Sequence, residues 1–291
     1  MDTHRAMEIL SGRRRGAAAT LLRTALLAAA GPYSAAMRLR RRAYGCGLLP
    51  RHSAGVPVIC VGNITTGGTG KTPMVAWVAG RLVATGARPA VLTRGYKSVN
   101  GKSDEAELLS QLLGPDVPVI VNPDRVAGAA AAVARGATVL VMDDGFQHCR
   151  LRRDLDIVLI DATNPFGFGH CLPRGLLREP TSALADADAI VITRSDQAAP
   201  QALEALRADL SKLAPQAYLY HATHKPSAVL DECARPLPLE VLAAPARRVF
   251  AFCGLANPDG FFDTVKSLGA NLAGQAALED HADYTQPVID G

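Results

Sequence analysis

Short apolar runs rich in β-branched residues recur along the first two thirds of the chain, separated by stretches with helical periodicity. Runs that are apolar throughout are typical of strands buried on both faces of a sheet. Strands that alternate with helices predict an α/β fold, with a parallel sheet covered by helices on both faces. The predicted strands are residues 56–64, 89–93, 117–121, 138–142, 156–160 and 189–193, and the predicted helices are 74–85, 105–113, 125–135 and 201–213.

The pattern changes after residue 215, which predicts a second, smaller domain. Residues 217–221 and 228–230 are expected to form a short two-stranded β connection, and a proline-rich stretch follows over 235–245. A strand over 248–252 and a helix over 257–268 then resume the alternation. We therefore expect a core over residues 49–215 and a smaller C-terminal domain over 216–291.

Positive charge is concentrated at the N-terminus. The first 55 residues hold ten arginines and two acidic residues, although the whole chain carries a net charge of only +4. Between arginine clusters at 13–15 and 38–42 lies an Ala- and Leu-rich stretch, in which Arg23 and Pro32 oppose a bilayer-spanning helix. An apolar face flanked by cations fits a helix lying on an anionic membrane. We expect residues 1–48 to be a basic amphipathic membrane-surface segment.

Two other interpretations of this segment remain open, a solvated basic arm and an arm that binds nucleic acid. Aromatic residues are not interleaved with the arginines as they are in single-strand binders, so we expect no nucleic-acid partner.

The six cysteines include no C-x-x-C pair, and His148-Cys149 and His170-Cys171 lack the ligand spacing of zinc sites. Reduced thiols are expected.

A phosphate-binding loop is predicted between the first strand and the helix after it. The pattern G-x-x-x-x-G-K-[ST] is met except at its first position, where Thr65 replaces glycine. Backbone N–H groups and the helix N-terminus would cradle phosphates, Lys71 would reach the β- and γ-phosphates, and the Thr72 hydroxyl would ligate Mg²⁺. ATP and Mg²⁺ are thus expected at Thr65, Thr66, Gly67, Gly68, Thr69, Gly70, Lys71 and Thr72.

Further charged residues follow the strands. Asp143 and Asp144 come directly after the strand over 138–142, where P-loop enzymes place a carboxylate near Mg²⁺. Asp104 and Glu105 begin a helix after a polar loop, a position that a helix N-cap would also explain. Arg174 and Arg178 lie in a later loop, where cations commonly hold anionic groups.

Several motifs, in the same order along the chain, resemble the tetraacyldisaccharide 4′-kinases, the lipid A 4′-kinases of Gram-negative bacteria. The resemblance extends from about residue 15 to the end, and even the threonine at the first loop position is usual in that family. The most specific run is Asp-Asp-Gly-Phe-Gln-His. The matching segments are 61–73, 94–96, 103–105, 143–148, 173–175, 177–180 and 252–258, with Asp280, His281 and Tyr284.

The resemblance implies transfer of the γ-phosphate of ATP to the 4′-hydroxyl of tetraacyldisaccharide 1-phosphate, the lipid A precursor. It also implies a peripheral protein at the cytoplasmic face of the inner membrane, and no obligate protein partner is evident from the sequence. Carried over to this chain, Asp104 would be the base on the sugar hydroxyl, with help from His281. Arg178 would contact phosphate, and the metal would be organised by Thr72, Glu105, Asp143 and Asp144.

The chain departs from the family in two places. Members usually continue past the Asp-His…Tyr segment to a T-T-E-K-D-like stretch that this sequence lacks, so the C-terminal domain is expected to be either truncated or divergent at its end. Where the family often has a His-His pair, this chain has His281-Ala282.

Two other classes of function compete with the kinase. One is a P-loop switch GTPase or ATPase that acts by binding partners, because Thr193-Arg194-Ser195-Asp196 is similar to the T-K-x-D run that binds guanine. The other is a membrane-surface scaffold with a vestigial loop.

Overall fold

Seven strands, all parallel, form one sheet at the centre of the larger part of the structure. The structure is a computed structural model that describes residues 3–95, 104–233, 235–244, 247–255 and 258–278. The chain divides into two compact units, Met1–Thr223 and His224–Gly291, and the sheet belongs to the first. Its strands are β1 (Val58–Asn63), β2 (Pro89–Thr93), β3 (Val119–Val121), β4 (Val139–Asp143), β5 (Leu155–Asp161), β6 (Ala189–Thr193) and β7 (Tyr218–His221).

The strand order is β3-β2-β4-β1-β5-β6-β7, so β1 lies at the centre between β4 and β5. Parallel strands present all their carboxyl ends at one edge, and ligands of such sheets bind there, where the direction of winding reverses. The loops after β1 and β4 therefore emerge side by side. They are the predicted phosphate loop and the segment that begins with Asp143 and Asp144.

Helices cover both faces of the sheet, as the sequence predicts. Buried residues of β1 and β4 alternate between two core clusters: Cys60 and Leu140 belong to one, and Val61 and Val141 to the other. The helices of this unit are α1 (Thr3–Leu10), α2 (Ala17–Gly45), α3 (Lys71–Ala84), α4 (Asp104–Leu113), α5 (Arg125–Ala134) and α6 (Pro200–Leu213). Helices α5 and α6 pack into the first cluster, and α3 and α4 into the second.

One expectation about strand pairing is wrong. Residues 217–221 do not pair with 228–230, because Tyr218–His221 lies parallel to β6 at the edge of the main sheet. Leu219 packs against the core there, and this apolar burial favours pairing with the large sheet. The segment at 228–230 instead forms β8 (Val229–Leu230), which pairs antiparallel with β9 (Pro236–Leu237).

The second unit contains a small βαβ arrangement. Strands β10 (Arg248–Cys253) and β11 (Asn271–Ala277) are parallel, and α7 (Pro258–Ser267) connects them along the chain. Ala251, Cys253 and Phe262 form its buried cluster. The sequence predicts β10 and α7 but misses β11, because alanine and glycine have low strand propensity and give a weak apolar signal.

Glycine at position 62 allows two loops to meet at the carboxyl edge. A Cβ atom there would lie 2.6 Å from the Cβ of Phe146 and 2.9 Å from its backbone nitrogen. Phe146 is fully buried, so neither group has room to retreat. Gly62 thereby allows the loop after β4 to pack directly against β1.

We expect Gly62→Ala to lower the free energy of unfolding by about 1–3 kcal/mol, because the added methyl overpacks the contact with Phe146. Urea denaturation measures the change. Gly80→Ala is the matched control, since Gly80 lies in α3 with nothing within 4 Å of an added Cβ. That control is expected to be neutral or stabilising by about 0.5–1 kcal/mol. Equal stability of the two variants would contradict the close-contact account.

Candidate active site

The phosphate loop has the backbone geometry that its glycines predict. Gly67 and Gly70 have positive φ angles of 112° and 87°, in the region that disfavours side chains. Gly70 caps α3, and Lys71 is the first residue of that helix. The loop therefore delivers Lys71 and Thr72 at a helix N-terminus, where the helix dipole favours an anion.

Side chains from the end of β6 hold the outer side of this loop. Thr193 Oγ1 donates to the Thr69 carbonyl at 3.1 Å, and Arg194 donates to the Gly68 carbonyl at 2.8 Å. Because a trans peptide points its N–H opposite to its C=O, the N–H groups of Thr69 and Gly70 face away from these partners. That orientation turns them toward the hollow of the loop.

Arg194 also forms an ion pair with Asp161 at the end of β5. The guanidinium is thus bound between the phosphate loop and a carboxylate, with its side chain 16% exposed. In this structure, Thr193 and Arg194 of the run 193–196, which is similar to the guanine-binding run, support the phosphate loop.

The segment at 176–178 holds the entrance of the loop. Thr66 N–H donates to the Leu176 carbonyl at 2.8 Å, and Arg178 N–H donates to the Ile64 carbonyl at 2.7 Å. Thr65, at the position usually taken by glycine, bridges antiparallel to Leu177. A β-like pairing suits threonine better than glycine, which accounts for the substitution in the loop pattern.

A cluster of two cations around one carboxylate lies beside the loop. Arg178 donates two hydrogen bonds to Asp144, at 2.7 Å to Oδ1 and 3.0 Å to Oδ2. Lys71 Nζ lies 3.7 Å from Asp144 Oδ1. Asp144 has a φ of 50°, an uncommon conformation that aspartate tolerates, and it turns the carboxylate toward these cations. The structure thus brings together Lys71, Asp144 and Arg178, three residues that the sequence analysis assigns to the site.

The cations determine the ionisation of Asp144. Burial raises the pKa of its carboxyl, but the hydrogen bonds from Arg178 and the charge of Lys71 outweigh burial, so the pKa is below its ordinary value. Asp144 is therefore a carboxylate at neutral pH, and it remains available as a ligand for a hard cation.

Asp143 has a different environment. It is the last residue of β4 and is buried, and its carbonyl accepts a hydrogen bond at 3.0 Å from the buried Arg125 guanidinium. Burial lowers the pKa of Arg125, while the charges of Asp143 and Asp144 raise it. Asp143 thus helps to compensate a buried arginine behind the more exposed Asp144.

Polar side chains that sequence reasoning missed line the same edge. Asn63 is completely buried at the end of β1, and its carbonyl accepts a hydrogen bond from Gln147 at 2.7 Å. Its side-chain oxygen lies 3.4 Å from Arg178. The sequence signal that could have identified Asn63 is an asparagine at the end of an apolar run, directly before the phosphate loop.

His148 lies in the segment after β4. Burial and the nearby Arg125 lower the pKa of its imidazole to about 4, so His148 is neutral at physiological pH.

The remaining predicted residues lie at or beyond the limits of the described chain. Asp104 and Glu105 are the first residues of α4, which follows β2 along the chain. Their backbone thus begins a helix as expected, while their side chains lie outside the described part. His281 also lies outside the described residues. Within the described ranges no group of three or more His, Cys, Asp or Glu side chains forms a metal site.

The N-terminal segment folds as two helices, α1 and α2, in the same unit as the sheet. In the basic run 38–42 one residue faces inward, because Arg41 pairs with the buried Glu179 at 2.5 Å. Arg41 is therefore held by the protein and is not available to a lipid headgroup. Among the helices that the structure describes, none has both the length and the apolar content needed to cross a bilayer.

Comparison with known proteins identifies the family of this chain. The family model described as tetraacyldisaccharide-1-P 4′-kinase matches residues 22–290. Curated tetraacyldisaccharide 4′-kinases of Anaeromyxobacter dehalogenans strain 2CP-C and Geobacter sulfurreducens are 43% and 38% identical, over 95% of this chain and 77% and 80% of theirs. A crystal structure of LpxK from Aquifex aeolicus in complex with ATP is 28% identical, with a TM-score of 0.70, over 91% of this chain and 84% of that chain. The chain belongs to the tetraacyldisaccharide-1-P 4′-kinase family.

Proposed function

We propose that this protein transfers the γ-phosphate of ATP to the 4′-hydroxyl of tetraacyldisaccharide 1-phosphate, a step of lipid A biosynthesis. The observation that carries the proposal is the cluster of Lys71, Asp144 and Arg178 beside a phosphate loop, in a chain that belongs to this kinase family. The switch interpretation is not favoured, because Arg194 supports the phosphate loop and every relative named above is a kinase.

The residues present fit ATP and Mg²⁺. Inward N–H groups, a helix N-terminus and two cations suit polyphosphate, and the oxygens of Thr72 and Asp144 are the ligand type that Mg²⁺ prefers. We assign Lys71 and Arg178 to the phosphates and Thr72, Asp143 and Asp144 to the metal, with Glu105 as a further carboxylate. Bound Mg²⁺ would neutralise charge on the transferring phosphoryl group.

Asp104 and His281 are proposed to act on the acceptor hydroxyl. A hydroxyl that attacks phosphorus must lose its proton, and a carboxylate is the usual acceptor in kinases. Asp104 begins α4, the first described helix after β2, and segments that follow parallel strands leave from the carboxyl edge, where the phosphate loop also lies; this order supports the assignment. The family resemblance supplies the role of His281, which is to assist this carboxylate.

We further propose that α2 lies on the cytoplasmic face of the inner membrane. Its outward residues from 17 to 36 are mainly alanine and leucine, with Leu21 73% and Leu27 48% exposed. Exposed arginines lie before it, at 13–15, and after its apolar part, at Arg38 and Arg42. Apolar contact with acyl chains and attraction of arginines to anionic lipid would then act together.

Phosphate transfer should depend on the phosphate loop. With γ-labelled ATP and tetraacyldisaccharide 1-phosphate in detergent, we expect the purified protein to label the lipid. Lys71→Ala should lower the rate by about 10²-fold or more, because Lys71 stabilises charge that develops on the phosphoryl group. Lys212→Ala is the control, since Lys212 is 78% exposed on α6.

Wild-type rates for Lys71→Ala at saturating ATP would exclude the loop from catalysis. Tight guanine-nucleotide binding with slow hydrolysis and no labelled lipid would support the switch interpretation instead.

Asp104→Ala and His281→Ala should each lower kcat by about 10²-fold or more while ATP affinity is retained. The double variant should lose little more than the worse single variant, because groups that serve one proton transfer are not additive. Glu107→Ala, an exposed position on the same helix, is the control. Independent multiplication of the two losses would refute joint action. A change in unfolding free energy alone would indicate a helix-capping role for Asp104.

Membrane binding should weaken when the charge before α2 is reversed. For Arg13, Arg14 and Arg15 all changed to Glu, we expect reduced partitioning to phosphatidylglycerol vesicles, at about 1 kcal/mol per arginine near the surface. Added salt should weaken wild-type binding as well. Arg207→Glu, exposed on α6, is the control. Equal wild-type partitioning to anionic and neutral vesicles at low salt would contradict the electrostatic part of the proposal.

A further inference from the structure

Two side chains of α2 reach the segment that carries Arg178. The Tyr33 hydroxyl donates to the Arg178 carbonyl at 2.8 Å. Arg41 donates to the Glu179 carboxylate at 2.5 Å. The two residues are eight positions apart, which places them near one face of the helix, about 12 Å apart along its axis. One face of α2 therefore holds two consecutive residues of the segment that pairs with the phosphate loop.

Arg41 also holds the loop that follows β4. Its Nη2 atom donates to the Phe146 carbonyl at 3.2 Å, and its guanidinium lies 4.5 Å from the centre of the Phe146 ring. A cation over a buried ring is held by the ring's electron density as well as by hydrogen bonding. A further hydrogen bond joins Arg41 to Asp186, whose side chain is half exposed.

The ion pair formed by Arg41 and Glu179 is buried, so a change in its geometry is energetically costly. Glu179 is 1% exposed. Burial lowers the pKa of Arg41, but the charge and hydrogen bond of Glu179 outweigh it, so the net pKa is raised. Removal of one partner would leave an uncompensated buried charge. Neither group can therefore shift without moving the other.

Two partners of Arg41 lie close in the chain to Asp144 and Arg178, the hydrogen-bonded pair that is called the clamp below. Glu179 follows Arg178 in the chain, and Phe146 lies two residues after Asp144. The hydrogen bonds of Arg41 go to Glu179, Phe146 and Asp186, so it acts on Arg178 and Asp144 through residues near them. It binds the side chain of Glu179 on one side of the pair and the backbone carbonyl of Phe146 on the other, and the separation of the two charged groups depends on where these neighbouring residues lie.

We propose that Arg41 is a positioning residue for phosphate transfer, which sets the geometry between Asp144 and Arg178 from the N-terminal helix. The helix assigned to the membrane surface is then also part of the catalytic core. This proposal rests on the assignment of Asp144 and Arg178 to the nucleotide site.

The first test compares Arg41→Met with Arg207→Met, an exposed arginine on α6. In Arg41→Met, a displacement of Asp144 relative to Arg178 by a fraction of an ångström should lower kcat by about tenfold or more. The same variant should weaken binding of a fluorescent ATP analogue, which is measured by anisotropy without any acceptor. Arg207→Met should change neither value. Unchanged kcat and nucleotide affinity in folded Arg41→Met would overturn the proposal.

A second variant distinguishes a loss of positioning from misfolding caused by an unpaired buried charge. In Arg41→Met/Glu179→Gln both charges are removed, so no unpaired buried ion remains and folding should be retained. We expect this variant to show near wild-type melting and the same loss of kcat and nucleotide affinity. Full activity of the folded double variant would overturn the proposal.

A double-mutant cycle separates positioning from general support of the fold. If Arg41 acts through Arg178, Arg41→Met should cost little further activity in an Arg178→Ala background. A loss that multiplies fully in that background would show that Arg41 acts independently of the clamp and would refute the proposal. A wild-type protein that binds the ATP analogue but labels no lipid would contradict the proposed function alone, while the affinity measurements still test Arg41.

Discussion

The salt bridge between Arg178 and Asp144 is the interaction on which the arrangement of the site depends. Its two hydrogen bonds join the segment before β6 to the loop after β4. The backbone of Arg178 is bonded at the same time to Ile64, at the entrance of the phosphate loop. Three stretches of chain that are distant in sequence are thereby fixed relative to one another, and Lys71 joins them through the same carboxylate.

This arrangement is suited to a site that must receive several negative charges. Two cations held at one carboxylate are already in place before phosphate arrives, so less reorganisation is needed on binding. The side chain of Asp144 is partly exposed, so phosphate oxygens could replace it as the partner of Lys71 and Arg178. The carboxylate oxygens of Asp144 would then be available to a metal ion. Asp143 and Arg125 lie deeper, where the charge of Asp143 offsets part of the effect of burial on the Arg125 guanidinium.

Local signals in the sequence predict the main elements of the fold and the backbone of the phosphate loop. The apolar runs predict β1 to β6, and the glycines of the phosphate loop predict a backbone that Gly67 and Gly70 adopt. Strand β7 was placed in the wrong partnership, because a four-residue strand carries no sign of which edge it joins. The roles of Asn63, Glu179 and Arg41 were missed for a related reason, since each depends on contacts between residues far apart in the chain.

The most direct test is a crystal structure of this chain with Mg²⁺ and a non-hydrolysable ATP analogue, compared with the same crystals without nucleotide. If Asp144 holds the cations in readiness for phosphate, Lys71 and Arg178 should contact phosphate oxygens and the two hydrogen bonds between Arg178 and Asp144 should open. A nucleotide bound with that pair intact, and with its phosphates away from both cations, would contradict the account.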